Sequence, residues 1–252
     1  MSDPTSSSKP RIALVTGASR GLGAVIAQRL AAAGDHVVLG YHQRHEAAQQ
    51  VQAAIEAAGG RAESVAFDLR DAAAIDAALT DIRRRLGPIT VLVNNAALPD
   101  EGFFATTSTD AFEELLEVGL LGATRCTRAI VRDMLVAGGG SIVNISSVMT
   151  RRGQPGQVAY ATCKGALEAF TRALALELAS RRIRVNAVVA GVFDAGITRS
   201  VARSTRERWL EAIPMGRLGS ADELADVVEW LVSDTASYVT GHCVVADGGL
   251  SL

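Results

Sequence analysis

Apolar residues along this chain fall into two alternating patterns. Short continuous runs, closed by glycine or a polar turn, read as buried strands. They are RIALVTG (11–17), HVVLGY (36–41), AESVAFDL (62–69), ITVLVNNA (89–96), GSIVNISS (140–147), IRVNAVVAG (183–191) and GHCVVADGG (241–249). Between them, apolar positions recur at helical spacing, and several of these segments stop at a glycine. The helical segments are 22–34, 46–60, 72–87, 110–137, 158–180 and 221–234. Strands that alternate with helices of this length imply right-handed crossovers and a parallel sheet covered on both faces. The spacing therefore predicts an α/β fold: a single-domain, Rossmann-like, doubly wound, seven-stranded parallel sheet over 11–252. Residues 192–220 form the one long irregular stretch, which reads as a substrate lid. Residues 1–10, MSDPTSSSKP, are polar, lack an apolar signal core and read as a disordered tail.

One position breaks the pattern. In 110–137, Phe112, Leu115, Leu116, Ala123, Cys126, Ile130 and Met134 share one apolar stripe, and Gly119 lies on it. Glycine inside a helix costs roughly 1 kcal/mol relative to alanine.

Composition narrows the function. The 252 residues suit one α/β domain. With 48% hydrophobic and 21% charged residues, the chain has material for a large core and does not read as disordered. A net charge of −2 points away from nucleic acid. No apolar run approaches the roughly 20 residues of a membrane span. The three cysteines, Cys126, Cys163 and Cys243, are scattered without a CxxC, which argues against a disulfide framework and fits a reducing cytoplasm. His42 and His45 have no third ligand spaced nearby, so they read as surface histidines and no metal is expected.

Two constellations carry chemistry. TGASRGLG (16–23) follows the first strand and opens the first helix, with Gly17, Gly21 and Gly23 spaced G-x3-G-x-G. Glycines permit a tight turn and close backbone approach, and a helix N-terminus attracts a pyrophosphate. A plain turn that needs glycine is the competing reading; the strand–loop–helix context favours a nucleotide. An acid at the end of the second strand would hold a ribose 2′-hydroxyl and repel a 2′-phosphate. Here that strand ends LGYHQR, with no acid from Leu39 to Arg44. Arg20 in the glycine loop, with Tyr41 and Arg44 at the strand end, suits a 2′-phosphate, so the cofactor expected is NADP(H). Simple solvation of the two arginines is the alternative.

The second constellation is YATCK (160–164), which puts Tyr160 and Lys164 on one helical face. An ordinary phenol has a pKa of about 10. A neighbouring ammonium and a positive nicotinamide favour phenolate, making the tyrosine a usable acid/base. Ser147 ends the preceding strand, where it could hydrogen-bond a substrate oxygen.

TGASRGLG, NNAA (94–97), SS (146–147), YATCK, RVNAVVAG and YVTGHCVVADGG occur in this order over residues 11–250. In that set the chain resembles the short-chain dehydrogenases/reductases, and among them the 3-oxoacyl-[acyl-carrier-protein] reductases. The resemblance implies reduction of a ketone or acyl thioester by NADPH. Tyr160 would protonate the carbonyl oxygen, Lys164 would bind the nicotinamide ribose, and Ser147 would hold the substrate oxygen. Ser19, Arg20 and Leu22 would line the phosphate and ribose site beside Gly17, Gly21 and Gly23. Asp68 and Leu69 would border the adenine, Asn94 would meet the adenosine-side ribose, and Ala96 and Gly191 fall in cofactor loops. Phe193 matches a position whose backbone meets the carboxamide. A homotetramer is also implied, built partly from the two long helices and the C-terminal CVVADGGLSL.

The chain departs from the family pattern at Ala97, where glycine is usual, at Ala190 for proline, and at Ala195 for threonine. The largest departure is Gly119, at the place of a fourth catalytic residue, an asparagine. In the family that asparagine supports a helix distortion whose main-chain carbonyl holds a water linking the lysine to solvent. Glycine supplies the carbonyl without the amide. Arg151, Arg152, Arg181, Arg182, Arg199, Arg203, Arg206 and Arg208 could meet an acidic acyl carrier protein. Arg181 matches a carrier-binding arginine of the acyl reductases, while a second such position falls at Gly138. Two alternatives stay open: a reductase of another ketone (a sugar, steroid-like polycycle or polyketide), and a nucleotide-sensing protein that has lost catalysis.

Overall fold

The computed structural model describes residues 10–99, 102–196, 198 and 201–252. The strands are β1 (Ile12–Thr16), β2 (His36–Tyr41), β3 (Arg61–Ala66), β4 (Ile89–Asn94), β5 (Gly140–Ser147), β6 (Ile183–Ala190) and β7 (Cys243–Ala246). The helices are α1 (Gly21–Ala32), α2 (His45–Ala57), α3 (Ala72–Leu86), α4 (Thr109–Leu116), α5 (Gly122–Ala137), α6 (Met149–Arg152), α7 (Val158–Leu178), α8 (Arg203–Ala212) and α9 (Ala221–Val232). The strands form one seven-stranded sheet in the order β3-β2-β1-β4-β5-β6-β7, every pair parallel.

Alternation along each strand explains why continuous apolar runs form this sheet. Side chains point to opposite faces in turn, so a strand covered on both sides is apolar throughout. In β1, Ala13 and Val15 face one way, packing with Ile26 and Leu30 of α1 and Leu224 and Val228 of α9. Ile12 and Leu14 face the other way, with Ile75 and Leu79 of α3, Ile130 and Met134 of α5 and Leu178 of α7. The strand order reverses between β1 and β4. In open α/β sheets that reversal opens a crevice at the carboxyl ends of the strands.

Local capping agrees with the global fold. Asp71 accepts hydrogen bonds from the backbone N–H groups of Ala73 and Ala74 at the start of α3. Ser220 and Glu223 form a reciprocal capping box on α9.

The sequence reading is corrected in two places. Residues 110–137 are not one helix: α4 and α5 are joined by a π-helical turn, Glu117–Leu121, in which the Gly122 N–H bonds the Glu117 carbonyl. Residues 192–220 are not irregular throughout, since ten of them form α8. A small separate core of Val148, Val192, Ile213, Leu218 and Leu250 packs with Trp209 and Leu210 of α8 and so fastens that helix beside the sheet. The expected tail, apart from Pro10, lies outside the described residues. Among the described residues no helix is long and apolar enough to cross a membrane.

Candidate active site

A cleft of about 740 Å3 runs along the carboxyl ends of β1, β2, β4, β5 and β6. Its floor at one end is the glycine loop. The β1–α1 turn passes so close to the end of β4 that side chains there would collide. A Cβ on Gly17 (φ +66°) would sit 2.9 Å from Ala96 Cα, and one on Gly23 2.5 Å from the Gly17 carbonyl oxygen. Thr16 and Asn95 fasten this contact. The Thr16 hydroxyl accepts from the N–H groups of Asn95 (3.1 Å) and Ala96 (3.2 Å), while Asn95 Nδ2 donates to the Thr16 carbonyl at 2.9 Å. Helix α1 begins without a side-chain cap and without an acid in its first turn. Its first N–H groups and positive dipole end therefore suit an anionic ligand such as a pyrophosphate.

The cleft is lined by Gly17, Ser19, Arg20, Gly21, Leu22, Gly23, Tyr41, Arg44, Asp68, Leu69, Ala96, Ser147, Tyr160, Lys164, Gly191 and Phe193, so almost every residue singled out in the sequence comes together there. Asn94 does not line it. It is 3% exposed, and its Nδ2 donates to Thr127 Oγ1 at 3.1 Å and to Asn144 Oδ1 at 2.8 Å. Asn144 in turn donates to Thr171 Oγ1 at 2.8 Å, so a buried polar ladder ties β4 and β5 to α5 and α7 beneath the cleft. The neighbouring asparagine, Asn95, is the one that faces the site.

At the end beside β2, the wall carries Tyr41, His42, Gln43 and Arg44. Neither Arg20 nor Arg44 has an ion-pair partner among the described residues. His45 bonds Tyr41 instead, Oη to Nδ1 at 2.5 Å, and His42 Nε2 lies 3.5 Å from Asp68. Arg70, which the sequence reading passed over, folds back on Asp68 with Nη2 to Oδ2 at 2.7 Å and reaches Glu114 of α4 at 2.9 Å. Its hydrogen bonds hold the Asp68 carboxyl below the usual carboxylate range.

At the opposite end stand the reactive groups. Lys164 is 2% exposed; its Nζ donates to the Ile145 carbonyl at 2.7 Å and lies 5.6 Å from the centroid of the Tyr160 ring. The chain contains only one other lysine, Lys9, against many arginines. Ser147 ends β5 in register with Ala190 of β6, and its hydroxyl accepts the Met149 N–H at 3.3 Å. Leu98, Met149, Gln154, Gln157, Thr198 and Trp209 complete this end and leave it mixed apolar and amide in character. Thr198 also bonds the Phe193 carbonyl, and its hydroxyl accepts the Ala195 N–H at 3.1 Å. It thereby fastens the loop in which alanine replaces the family's threonine.

The arginines considered for a carrier protein scatter. Arg151 pairs with Glu168, Arg203 with Glu207, and Arg206 with Asp194, while Arg152 donates to the Leu250 carbonyl. Arg199 lies outside the described residues. Arg181 and Arg182 precede β6, at the end of the strand opposite the cleft.

Gly119 packs directly against the reactive helix. A Cβ there would lie 2.6 Å from Cys163 Sγ, and Cys163 is 1% exposed. Burial pushes the Cys163 thiol up from its ordinary pKa. All three cysteines are free thiols.

A cleft at the switch point of a doubly wound sheet, with a glycine loop at one end and a serine, a tyrosine and a buried lysine at the other, is the arrangement of a dehydrogenase class. The chain belongs to the short-chain dehydrogenase/reductase family and is an oxidoreductase acting on ketone or alcohol groups. A family profile described as enoyl-(acyl carrier protein) reductase matches residues 17–251. The chain is 39% identical over 240 residues to the 3-oxoacyl-[acyl-carrier-protein] reductase FabG of Pseudomonas aeruginosa, spanning 95% of this chain and 97% of that one. It is 36% identical over 240 residues to the FabG protein of Escherichia coli, with the same coverage of 95% and 97%. Among solved structures, a putative short-chain alcohol dehydrogenase from Sinorhizobium meliloti superposes with a TM-score of 0.91 at 39% identity, covering 95% of this chain and 96% of the other.

Proposed function

We propose that the protein reduces 3-oxoacyl thioesters carried on acyl carrier protein to 3-hydroxyacyl thioesters, with NADPH as cofactor, in fatty-acid or polyketide synthesis. The observation that carries this reading is the placement of Ser147, Tyr160 and Lys164 in one cleft with an uncapped, glycine-floored helix N-terminus. Bound NADPH supplies the hydride. Tyr160 gives its hydroxyl proton to the carbonyl oxygen, and the Ser147 hydroxyl holds that oxygen. The Lys164 ammonium stabilises the phenolate left behind and binds the nicotinamide ribose. Glycine at 119 lacks the amide, so a water held by a carbonyl of the π-turn would return the proton from solvent through Lys164 to Tyr160; that turn keeps a backbone distortion where the family's asparagine supports one.

The test is a panel with product identification: 3-oxoacyl thioesters, a 2-enoyl thioester, and cyclic and sugar ketones. Turnover is expected to be highest on the 3-oxoacyl thioesters. Preference for the enoyl substrate or for a cyclic ketone would replace the proposed substrate.

Arg20, Arg44 and the absence of an acid at Tyr41–Arg44 support NADPH over NADH. A charge-assisted contact is worth about 1.5–3 kcal/mol. We expect kcat/KM to favour NADPH by roughly tenfold or more, and the Arg20→Ala/Arg44→Ala double variant to lose most of that preference. Equal efficiency in the parent protein would remove the assignment.

For the carrier, Arg181 is the contact we assign. An eight-residue strand spans about 26 Å at ~3.3 Å per residue, so a carrier at Arg181 serves the cleft of a neighbouring protomer in the homotetramer we propose. Exposed Leu135 and Val136 of α5, Leu176 of α7 and the C-terminal Leu252 support such contacts. The KM for a carrier-bound substrate is expected to rise with salt while that for the free thioester does not; two parallel salt profiles would exclude the carrier contact. Three free thiols support a cytoplasmic setting.

A further inference from the structure

A buried charge outside the three reactive side chains ties their supporting backbone together. Tyr160, Lys164 and Glu168 follow one another at intervals of four along α7, so all three lie on one stripe of the helix. That stripe faces the end of β5. Glu168 is 5% exposed. Its Oε1 accepts from Ser146 Oγ at 2.8 Å and from Thr150 Oγ1 at 2.6 Å. Its Oε2 accepts from Arg151 Nη2 at 3.0 Å and lies 3.9 Å from Arg172 Nη1.

Both hydroxyls also touch the main chain of a reactive residue. Ser146 Oγ is 3.4 Å from the Lys164 carbonyl, and Thr150 Oγ1 is 2.8 Å from the Ser147 carbonyl. Each hydroxyl has one proton, shared between the carboxylate and a carbonyl. The position of Glu168 therefore governs both Ser147 and Lys164 through a single intermediate group on each side. Arg151 of α6 compensates the buried charge, which alone would be costly, and pins the segment that follows Ser147 against α7.

We propose that Glu168 is a positioning residue for the reduction: its carboxylate sets the relative placement of Ser147 at the end of β5 and Lys164 on α7. The proposal rests on the functional reading above. It asks more of Glu168 than fold stability. Loss of the carboxylate should act on the chemical step, because small misplacements of reacting groups cost rate steeply. It should leave the glycine-loop end of the cleft unchanged, since none of these contacts reaches it.

The experiment compares the parent protein with Glu168→Ala and Glu168→Gln. NADPH affinity is read by cofactor fluorescence and thermal shift. Turnover is read per titrated active site, with the primary isotope effect from NADPH deuterated at C4. We expect Glu168→Ala, assayed at saturating NADPH, to lower kcat by about tenfold or more, to weaken NADPH binding by no more than about tenfold because the glycine-loop end is untouched, and to show an isotope effect at least as large as the parent's. Glu168→Gln, which keeps an acceptor for the two hydroxyls, should recover part of the loss. If Glu168→Ala does not fold, a lowered kcat with an undiminished isotope effect in Glu168→Gln supports the proposal. Unchanged kcat in a folded variant overturns it, as does a loss accounted for by fewer active sites or one that vanishes at saturating NADPH. A parent protein that turns over no ketone defeats the functional reading and this proposal with it. Parent turnover with indifferent Glu168 variants defeats the positioning role alone.

Discussion

Replacing Tyr160 by phenylalanine is expected to lower kcat for ketone reduction by about a thousandfold or more while leaving NADPH affinity within a few-fold. The substitution removes one oxygen from a ring that lies 5.6 Å, centroid to Nζ, from Lys164. The ring remains to pack beside Leu115, Ala159 and Cys163, so the fold loses little. The proton donor is lost outright. General acid catalysis by a placed side chain contributes on the order of 10²–10⁴ in rate, and the charge stabilisation that Lys164 supplies loses its object at the same time. Steady-state kinetics and cofactor fluorescence on the same preparation check both halves. Activity retained in Tyr160→Phe would transfer the proton-donor role to another group.

The second large effect is steric and concerns Gly119. Glycine there is not serving a left-handed backbone, since Gly119 is absent from the positive-φ residues. It is there because Cys163 Sγ occupies the space a side chain would need. Forcing atoms into a packed core costs about 1–3 kcal/mol, and a domain of this size loses roughly 2–4 °C of Tm per kcal/mol. Gly119→Asn is expected to lower Tm by roughly 5 °C, and adding Cys163→Ala to restore most of it. The same pair decides the proton route. In Gly119→Asn alone, strain and chemistry are confounded. In Gly119→Asn/Cys163→Ala the amide has room. A kcat within about tenfold of the parent then supports proton return through water held on the π-turn backbone, whereas a rise of a hundredfold or more would show that the missing amide limits the enzyme. A Tm that rises in Gly119→Asn alone would refute the packing argument.

The chain's apolar pattern made the sheet legible because burial on both faces leaves a continuous apolar run, which is what RIALVTG and IRVNAVVAG display. It also located most of the cleft, since a glycine loop and a Tyr–Lys pair are local in sequence. The family resemblance implies a helix distortion at Gly119, but the apolar periodicity hides it. Periodicity reports which positions are buried, and one inserted residue shifts the hydrogen-bond register of the backbone while the apolar stripe from Leu115 to Ala123 continues. The family resemblance points to Asn94 for the adenosine-side ribose, whereas strand alternation turns its side-chain amide inward to Thr127 and Asn144 and leaves Asn95 on the cleft. The sequence pattern hides helix α8 because its apolar residues are few: Trp209 and Leu210 bind it to a small core drawn from the segments after β5 and β6, the loop after α8 and the C-terminus. Glu168 looked like any helical acid until Ser146, Thr150 and Arg151 converged on it.

Hydride transfer to a ketone carbon in this cleft, with Tyr160 as proton donor, leaves an isotopic trace. The most direct test incubates the protein with NADPH deuterated at C4 and a 3-oxoacyl thioester, then analyses the alcohol by mass spectrometry. The expected result is a 3-hydroxyacyl product with one deuterium at C3, formed by the parent protein and almost absent with Tyr160→Phe. NADPH bound at saturation with no deuterated alcohol formed would show that the cleft holds the cofactor without reducing a ketone.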